Sequence, residues 1–289
     1  MARLDLTPLH PWAEAALGAR LIAVEDASWP HAASAVARVT ADDGRVAYLK
    51  RHRQPRKHRQ ERAALRAWAP AVAGTPRLLA ATTTPAPALL LSPVPGVLVP
   101  EAPTIDGAAV HAAAGSWLRA WHDQPFRDDD PMPPHEALLA RLDGWAERAG
   151  AALTGGAVAA VRAQLAALAA ADLRRIPCHR DFGPRNWLWE ARATGDAGFG
   201  VIDFEHARPD VAWVDVLKLV DGAWLARPDL AEAFWRGYGR RPTPSDEAVI
   251  DALRALHAVG TIAWARAHDD PAFEGAGRAT LARLGIDAS

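Results

Sequence analysis

Two short stretches decide the fold of this 289-residue chain: HRDFGPRN at residues 179–186 and IDFE at residues 202–205. Asp181 is followed five positions later by Asn186, the only asparagine of the sequence, and Asp203 ends a predicted hairpin. Phosphoryl transfer needs a base at the attacking hydroxyl, oxygen ligands for Mg²⁺ and a cation on the phosphates. We therefore predict Asp181 as catalytic base, with Asn186 and Asp203 as magnesium ligands.

The first stretch resembles the H-R-D-x-x-x-x-N catalytic loop of the protein-kinase-like fold, and IDFE resembles its metal-binding D-F-G segment. Glu205 replaces the glycine, as is usual in the aminoglycoside phosphotransferase family, which the chain resembles over nearly its whole length. The resemblance implies an α+β, two-lobed fold with a small antiparallel-sheet N-lobe carrying one helix and a larger, mainly helical C-lobe. We place the N-lobe at residues 1–91, a hinge at 92–96 and the C-lobe at 97–289.

The same resemblance implies a nucleotide site built largely from the N-lobe. Lys50, held by Glu61, would contact the α- and β-phosphates of ATP or GTP. The Ser92 carbonyl and the Val94 amide would bond the purine edge, and Ile202 would also line the nucleotide.

Three further residues are implied as structural support for the catalytic loop: His179, Arg180 and Asp215. Two departures from protein kinases stand out. Residues 26–34 contain no glycine to cover the phosphates, which leaves Ser28 as a candidate phosphate contact. Gly183 stands where protein kinases usually carry a lysine.

Local patterns agree with this fold. Apolar runs separated by turn residues predict strands, and apolar spacing of three to four residues predicts helices. The predicted strands are residues 21–24, 35–40, 45–50 and 88–91, and the predicted helices are 54–68, 105–122, 136–149 and 157–171. From Ile176 to Asp203 the pattern becomes strand and turn, with a predicted hairpin that joins 186–190 to 199–203. After Asp210 we predict helices to the end of the chain.

Composition narrows the class of protein. The chain has one cysteine, so an internal disulfide framework is excluded, and Cys178 itself reads as a core residue. The N-terminus lacks a signal-like apolar run, and the most apolar stretch, residues 157–171, is too short to cross a bilayer. We expect a cytoplasmic monomer or homodimer that binds no membrane.

The net charge is only −1, but residues 1–91 hold 13 Lys or Arg against 7 Asp or Glu, whereas residues 92–289 hold 20 against 27. Residues 50–66 hold eight Lys or Arg, which is the strongest rival signal, because a nucleic-acid patch could look the same. The run also presents Glu61 and lacks interleaved aromatic residues, so a solvated helix face is the favoured interpretation.

Asp203 and Asp215 are twelve positions apart, which leaves no room for an activation loop and indicates a small-molecule acceptor. An antibiotic is the leading hypothesis. Acidic C-lobe residues are candidates for attracting a polycation such as an aminoglycoside: Asp128, Asp129, Asp130, Glu205 and Asp210. A metabolic kinase of the choline or homoserine type and a non-catalytic, kinase-like nucleotide-binding protein remain alternatives.

Overall fold

The computed structural model describes residues 4–29, 34–102, 105–191 and 198–288. The N-terminal part contains α1 (His10–Leu17), β1 (Leu21–Asp26), β2 (Ser34–Ala41), β3 (Val46–His52), α2 (Pro55–Ala67), β4 (Leu78–Thr82) and β5 (Ala88–Leu91). The C-terminal part contains β6 (Val97–Leu98), α3 (Gly107–His122), α4 (Pro134–Ala149), α5 (Gly155–Ala167), β7 (Arg175–Cys178), β8 (Trp187–Glu190), β9 (Gly198–Val201), β10 (Arg208–Val211), α6 (Leu217–Val220), α7 (Ala223–Ala226), α8 (Pro228–Tyr238), α9 (Pro244–His268) and α10 (Pro271–Arg283).

The N-lobe is a five-stranded antiparallel sheet in the order β1-β2-β3-β5-β4, with α2 packed beside it. Gly44 adopts the left-handed region (φ 84°) in the turn between β2 and β3, which a side chain rarely permits. Pro55 begins α2, where its missing N–H costs nothing. The helix buries Glu61 on its inner face, so a charged side chain points toward β3.

In the C-lobe, α3 and α8 cross closely because both carry glycine at the contact. A Cβ atom on Gly115 would overlap the Phe234 carbonyl, and one on Gly237 would overlap the Ala112 carbonyl. This crossing positions the buried face of α3. On that face Trp117 stacks on Phe182 of the catalytic loop, and Trp121 packs against Phe204 of the IDFE segment.

Two small antiparallel pairings carry the motifs. Strands β8 and β9 form the predicted hairpin, with Trp187 opposite Val201, and β6 joins its free edge. Strand β7 pairs with β10, with Pro177 opposite Pro209. Asn186, just before β8, and Asp203, just after β9, therefore lie at the same open end of the hairpin.

The predicted two-lobed α+β fold is confirmed, and the predicted strands and helices recur with shifts of a few residues at their ends. The structure adds α1, β4, β6 and β10, which the sequence patterns did not indicate. Pro209 inside β10 explains one omission, because proline is tolerated in a strand only where no ladder N–H is needed.

Among the described residues, one helix is long and apolar enough to cross a membrane by length and composition, Pro244–His268. Of its most apolar window, 67% is buried inside the fold. Core helices pass the same test, so this helix is weak evidence for a membrane span.

Candidate active site

The catalytic loop leaves β7 at Cys178 and is held from behind by Asp215. The Asp215 carboxylate accepts hydrogen bonds from the His179 amide at 2.9 Å and the Arg180 amide at 2.5 Å. Arg180 takes a positive φ of 64°, an uncommon conformation for a residue with a side chain. Asp215, 1% exposed, thus lies where the sequence expectation put a residue supporting the loop.

His179 links this loop to the second motif. Its Nδ1 accepts the amide hydrogen of Asp181 at 3.2 Å, so the ring proton belongs on Nε2, which lies 3.1 Å from the Ile202 carbonyl. The side chain is fully buried, and this burial lowers its pKa to about 4. A neutral imidazole therefore spans the two motifs at pH 7.

Asn186 and Asp203 are brought together by the hairpin ladder. The Ile202 amide donates to the Asn186 carbonyl at 3.0 Å, immediately before Asp203. The Asn186 side-chain amide donates to the Asp181 carbonyl at 2.9 Å. Its Oδ1 is buried, with no hydrogen-bond partner within the described residues. An orphaned buried acceptor beside a carboxylate is the kind of atom that a divalent cation satisfies.

Lys50 connects the two lobes. Its Nζ lies 2.8 Å from Oε2 of Glu61 on α2 and 2.6 Å from Oδ1 of Asp203. Burial alone would lower the pKa of Lys50, but the charges of Asp203, Glu61 and Glu205 raise it above its ordinary value. Lys50 is therefore a permanently charged cation at the predicted metal-binding carboxylate.

Glu61 is completely buried and makes a second link to the IDFE segment. It accepts the Phe204 amide at 3.2 Å, so α2 holds that segment as well as Lys50. Burial would raise the pKa of Glu61, but Lys50 and then His52 lower it to about 2.

Glu205 completes a charged cluster behind Lys50. Its carboxylate lies 3.4 Å from Lys57 and 3.6 Å from Lys50. His52, Glu61 and Glu205 could in principle hold a metal ion. Lys50 already supplies the positive charge there, because its ammonium group is within reach of both carboxylates.

Two of the eight cations in the basic run at residues 50–66 lie at the candidate site. Lys50 and Lys57 face the carboxylates of the site rather than a common outer surface. This division removes two cations from the stripe that a nucleic acid would need.

Cys178 is fully buried, and burial raises the pKa of its thiol well above the ordinary value. It lies near His122 and Asp215, a group that could also be considered for a metal. The Asp215 oxygens are occupied by two backbone amides and by His122 at 3.1 Å. The geometry agrees with Cys178 as a core residue.

Asp181 is 2% exposed and lies between two cations that sequence reasoning missed. Arg185 Nη2 is 2.5 Å from Asp181 Oδ2, and Lys218 Nζ contacts Asp181 Oδ1. A Cβ on Gly183 would lie 3.8 Å from Cβ of Lys218. Lys218 thus occupies the space beside the position where protein kinases carry their lysine.

A signal for Lys218 was present in the sequence. The chain has only three lysines, at positions 50, 57 and 218, and all three contact carboxylates of the site. Asn186 stands out as the only asparagine of the sequence, and the scarcity of lysine would have pointed to Lys218 in the same way.

The predicted hinge, residues 92–96, follows β5. Its Val94 packs against the strand that leads to Asp203, because a Cβ on Gly200 would overlap the Val94 side chain. In the described parts of the chain, no backbone hydrogen bond uses the Ser92 carbonyl or the Val94 amide. These groups are therefore free for the purine contacts that the resemblance implies.

The Ser28 hydroxyl is engaged within the β1–β2 hairpin. It donates to Asp26 at 2.8 Å and accepts the Val36 amide at 2.9 Å. Residues 30–33 of the same predicted phosphate loop lie outside the described residues. A phosphate contact by Ser28 stays a prediction.

The sequence profile of the Phosphotransferase enzyme family (APH) matches residues 30–256. A search of curated proteins gives no match.

Many solved structures share the fold. One is the macrolide 2′-phosphotransferase MphH from Brachybacterium faecium, with 19% identity, TM-score 0.62, and coverage of 96% of this chain and 97% of that chain. A second is a thermostable mutant of the aminoglycoside phosphotransferase APH(4)-Ia with ADP and hygromycin B, with 17% identity, TM-score 0.71, and coverage of 97% and 99%. A third is a choline/ethanolamine kinase family protein from Mesorhizobium loti, with 21% identity, TM-score 0.66, and coverage of 91% and 87%. At these identities the likeness shows the fold.

Proposed function

Because the chain belongs to the phosphotransferase enzyme family, we propose that it transfers the γ-phosphoryl group of ATP to a hydroxyl of a small molecule, an antibiotic in the leading case. The hydroxyl oxygen forms a new bond to the γ-phosphorus as the bond to the β,γ-bridging oxygen breaks. ADP leaves with that electron pair, and the hydroxyl proton passes to the Asp181 carboxylate. We propose ATP rather than GTP as the phosphate donor because the aminoglycoside phosphotransferase of similar fold was solved with ADP.

One observation carries the proposal: Asn186 Oδ1 is a buried acceptor without a partner, beside the hairpin end that presents Asp203. Both donors are hard oxygens of the type that Mg²⁺ prefers. Asn186 and Asp203 would hold the ion, whose charge would neutralise the β- and γ-phosphates when it is bound with ATP.

Lys50 is oriented for the nucleotide phosphates. Glu61 fixes its ammonium group from the α2 side, and the same group contacts Asp203, the predicted metal ligand beside which the phosphates would bind. Such a pre-oriented cation stabilises charge without reorganising during the reaction.

Asp181 fits the role of catalytic base because hydrogen bonds and ion pairs fix the position of its carboxylate. The amide of Asn186 lies 3.2 Å from Oδ2, and Arg185 and Lys218 contact the two oxygens. Both cations lie near the predicted position of the transferring phosphoryl group, where they would stabilise its charge.

The test is a Mg-ATP consumption screen across hydroxylated antibiotics and metabolites, with mass spectrometry for an added phosphate. We expect at least one phosphorylated product from the wild-type protein. Asp181→Asn should bind ATP normally and form that product about 10²- to 10⁴-fold more slowly. A matched control is Asp143→Asn, an exposed carboxylate paired with Arg162. Wild-type transfer by Asp181→Asn would remove the base assignment.

A further inference from the structure

Building on the proposed function, we infer that the acceptor is an uncharged or anionic hydroxyl compound and that the site rejects polycations such as the polyamine aminoglycosides. Two observations carry this inference independently. Cations surround the catalytic carboxylate, and the acidic residues that could attract a polycation already have basic partners.

The rim of the site beside Asp181 is positive. Lys218 and Arg185 both contact its carboxylate, and their side chains are 38% and 55% exposed. One buried negative charge is thus covered by two positive charges that face solvent. An acceptor whose hydroxyl reaches this carboxylate therefore comes close to both cations.

Each carboxylate of the acidic loop before α4 has a basic partner. Asp128 lies 2.9 Å and Asp130 3.6 Å from the same guanidinium, that of Arg175. Asp129 lies 2.8 Å from Arg127. The sequence hypothesis that this loop attracts a polycation is therefore not supported by its geometry.

Asp210 and Glu205 are similarly engaged. Asp210 is 2.8 Å from both Arg141 and Arg180, and these charges lower its pKa although burial acts to raise it. Glu205 lies between Lys50 and Lys57. Neither carboxylate is available to bind an ammonium group of a substrate.

The wall beyond Lys218 continues the same pattern. Asp221, three residues further on, lies 2.7 Å from Arg254 and 3.3 Å from Arg283. His257 feels the charges of Lys218 and Asp221, and burial lowers its pKa to about 4, so it is neutral at pH 7. Arg254 also pairs with Asp251 at 2.8 Å, so two carboxylates and two guanidinium groups neutralise one another here, and neither carboxylate is left without a basic partner.

The consequence is a charge criterion for the substrate. A polyamine would have to place ammonium groups against Lys218 and Arg185 or displace existing ion pairs, and like charges in contact are strongly unfavourable. A carboxylate, a phosphate or an uncharged hydroxyl compound meets no such penalty.

The experiment separates charge preference from catalysis. Calorimetry with kanamycin A, in the presence of Mg²⁺ and a non-hydrolysable ATP analogue, measures polycation binding directly at low salt. In parallel, the acceptor screen compares kanamycin A with uncharged nucleosides and sugar acids. We expect no saturable kanamycin binding by the wild-type protein and products only from uncharged or anionic acceptors.

Charge-reversal variants sharpen the first measurement. Arg185→Glu replaces an exposed cation with a carboxylate, so saturable kanamycin binding should appear, at least about tenfold tighter than the weakest affinity that the wild-type titration could detect. Lys218→Gln should act in the same direction, with folding checked by thermal unfolding. Arg174→Gln is the matched control, because that guanidinium is 78% exposed and pairs with Asp172 away from Asp181.

The outcomes distinguish the two proposals. Micromolar binding of kanamycin A to the wild-type protein, or a polyamine as the best acceptor, overturns the charge criterion while leaving the phosphotransferase intact. Absence of any Mg-ATP turnover overturns the proposed function, whereas calorimetry on the wild-type and Arg185→Glu proteins still decides the charge criterion.

Discussion

Lys50 Nζ lies 2.6 Å from Oδ1 of Asp203, although 153 positions separate the two residues in the chain. This contact joins the N-lobe sheet to the end of the C-lobe hairpin. Because Lys50 is also held by Glu61, a single ammonium group connects β3, α2 and the IDFE segment.

The buried Lys50–Glu61 pair should show strong coupling in stability. Lys50→Met leaves buried carboxylates without their cation and should lower the free energy of unfolding by about 3 kcal/mol or more. Lys50→Met combined with Glu61→Leu removes both charges, so it should cost less than the sum of the two single changes. Urea unfolding of all four proteins measures the coupling, and strict additivity would contradict it.

Lys218 should be replaceable by a lysine at position 183. Lys218→Met is expected to lower kcat by about 10- to 100-fold with little change in the KM for ATP, because it removes a charge that stabilises the transition state. Gly183 is extended (φ −177°), and its Cβ would point to the space that Lys218 vacates. Gly183→Lys in the Lys218→Met background should therefore restore part of kcat.

Two controls accompany this rescue. Gly183→Lys alone should give no gain, because Lys218 already fills the space. Lys218→Arg, which keeps the charge, should retain more activity than Lys218→Met. If Gly183→Lys rescues nothing while the double variant folds normally, Lys218 serves the structure rather than the reaction.

Acid should destabilise the fold between about pH 6.5 and pH 4. Burial lowers the pKa of His179 to about 4, so in this window the unfolded chain binds a proton that the native state excludes. Stability therefore rises with pH across the window and is lost as pH falls, by at most about 3 kcal/mol for this residue. His257 shifts in the same direction.

Thermal unfolding at pH 7, 5.5 and 4.5 checks this expectation. His268→Gln, on the exposed end of α9, should keep the wild-type acid sensitivity. Unchanged stability from pH 7 to pH 4.5 would contradict the buried neutral state of His179.

The α3–α8 crossing gives a test of packing with an internal control. Gly237→Ala places a methyl group onto the Ala112 carbonyl and should destabilise the protein by about 1–3 kcal/mol. Gly144→Ala on α4 meets nothing within 4 Å and should stabilise by about 0.5–1 kcal/mol through helix propensity. Equal effects of the two changes would show that the close crossing does not limit stability.

Much of the fold was predictable because its signals are local. Apolar runs and turn residues located β2, β3, β5 and α2, and the spacing from Asp181 to Asn186 identified the loop. Both residues belong to one short segment, so their relation survives in the sequence. Strand β10, which pairs with β7, was not predicted because it contains Pro209, and proline in a sequence argues against a strand.

The sequence by itself determined which residue types are available for phosphoryl transfer and the order in which they come. The chemistry of metal and phosphate binding tolerates few substitutes, so Asp181, Asn186, Asp203 and Lys50 stand out in any reading. Only the tertiary structure decided how charges are paired. Lys218 contacts Asp181 across 37 positions, and basic side chains pair with the acidic C-lobe residues that the sequence offered for binding a polycation. The net charge of a segment does not say which side chains are paired, whereas an ion pair depends on distances of a few ångströms that only folding sets.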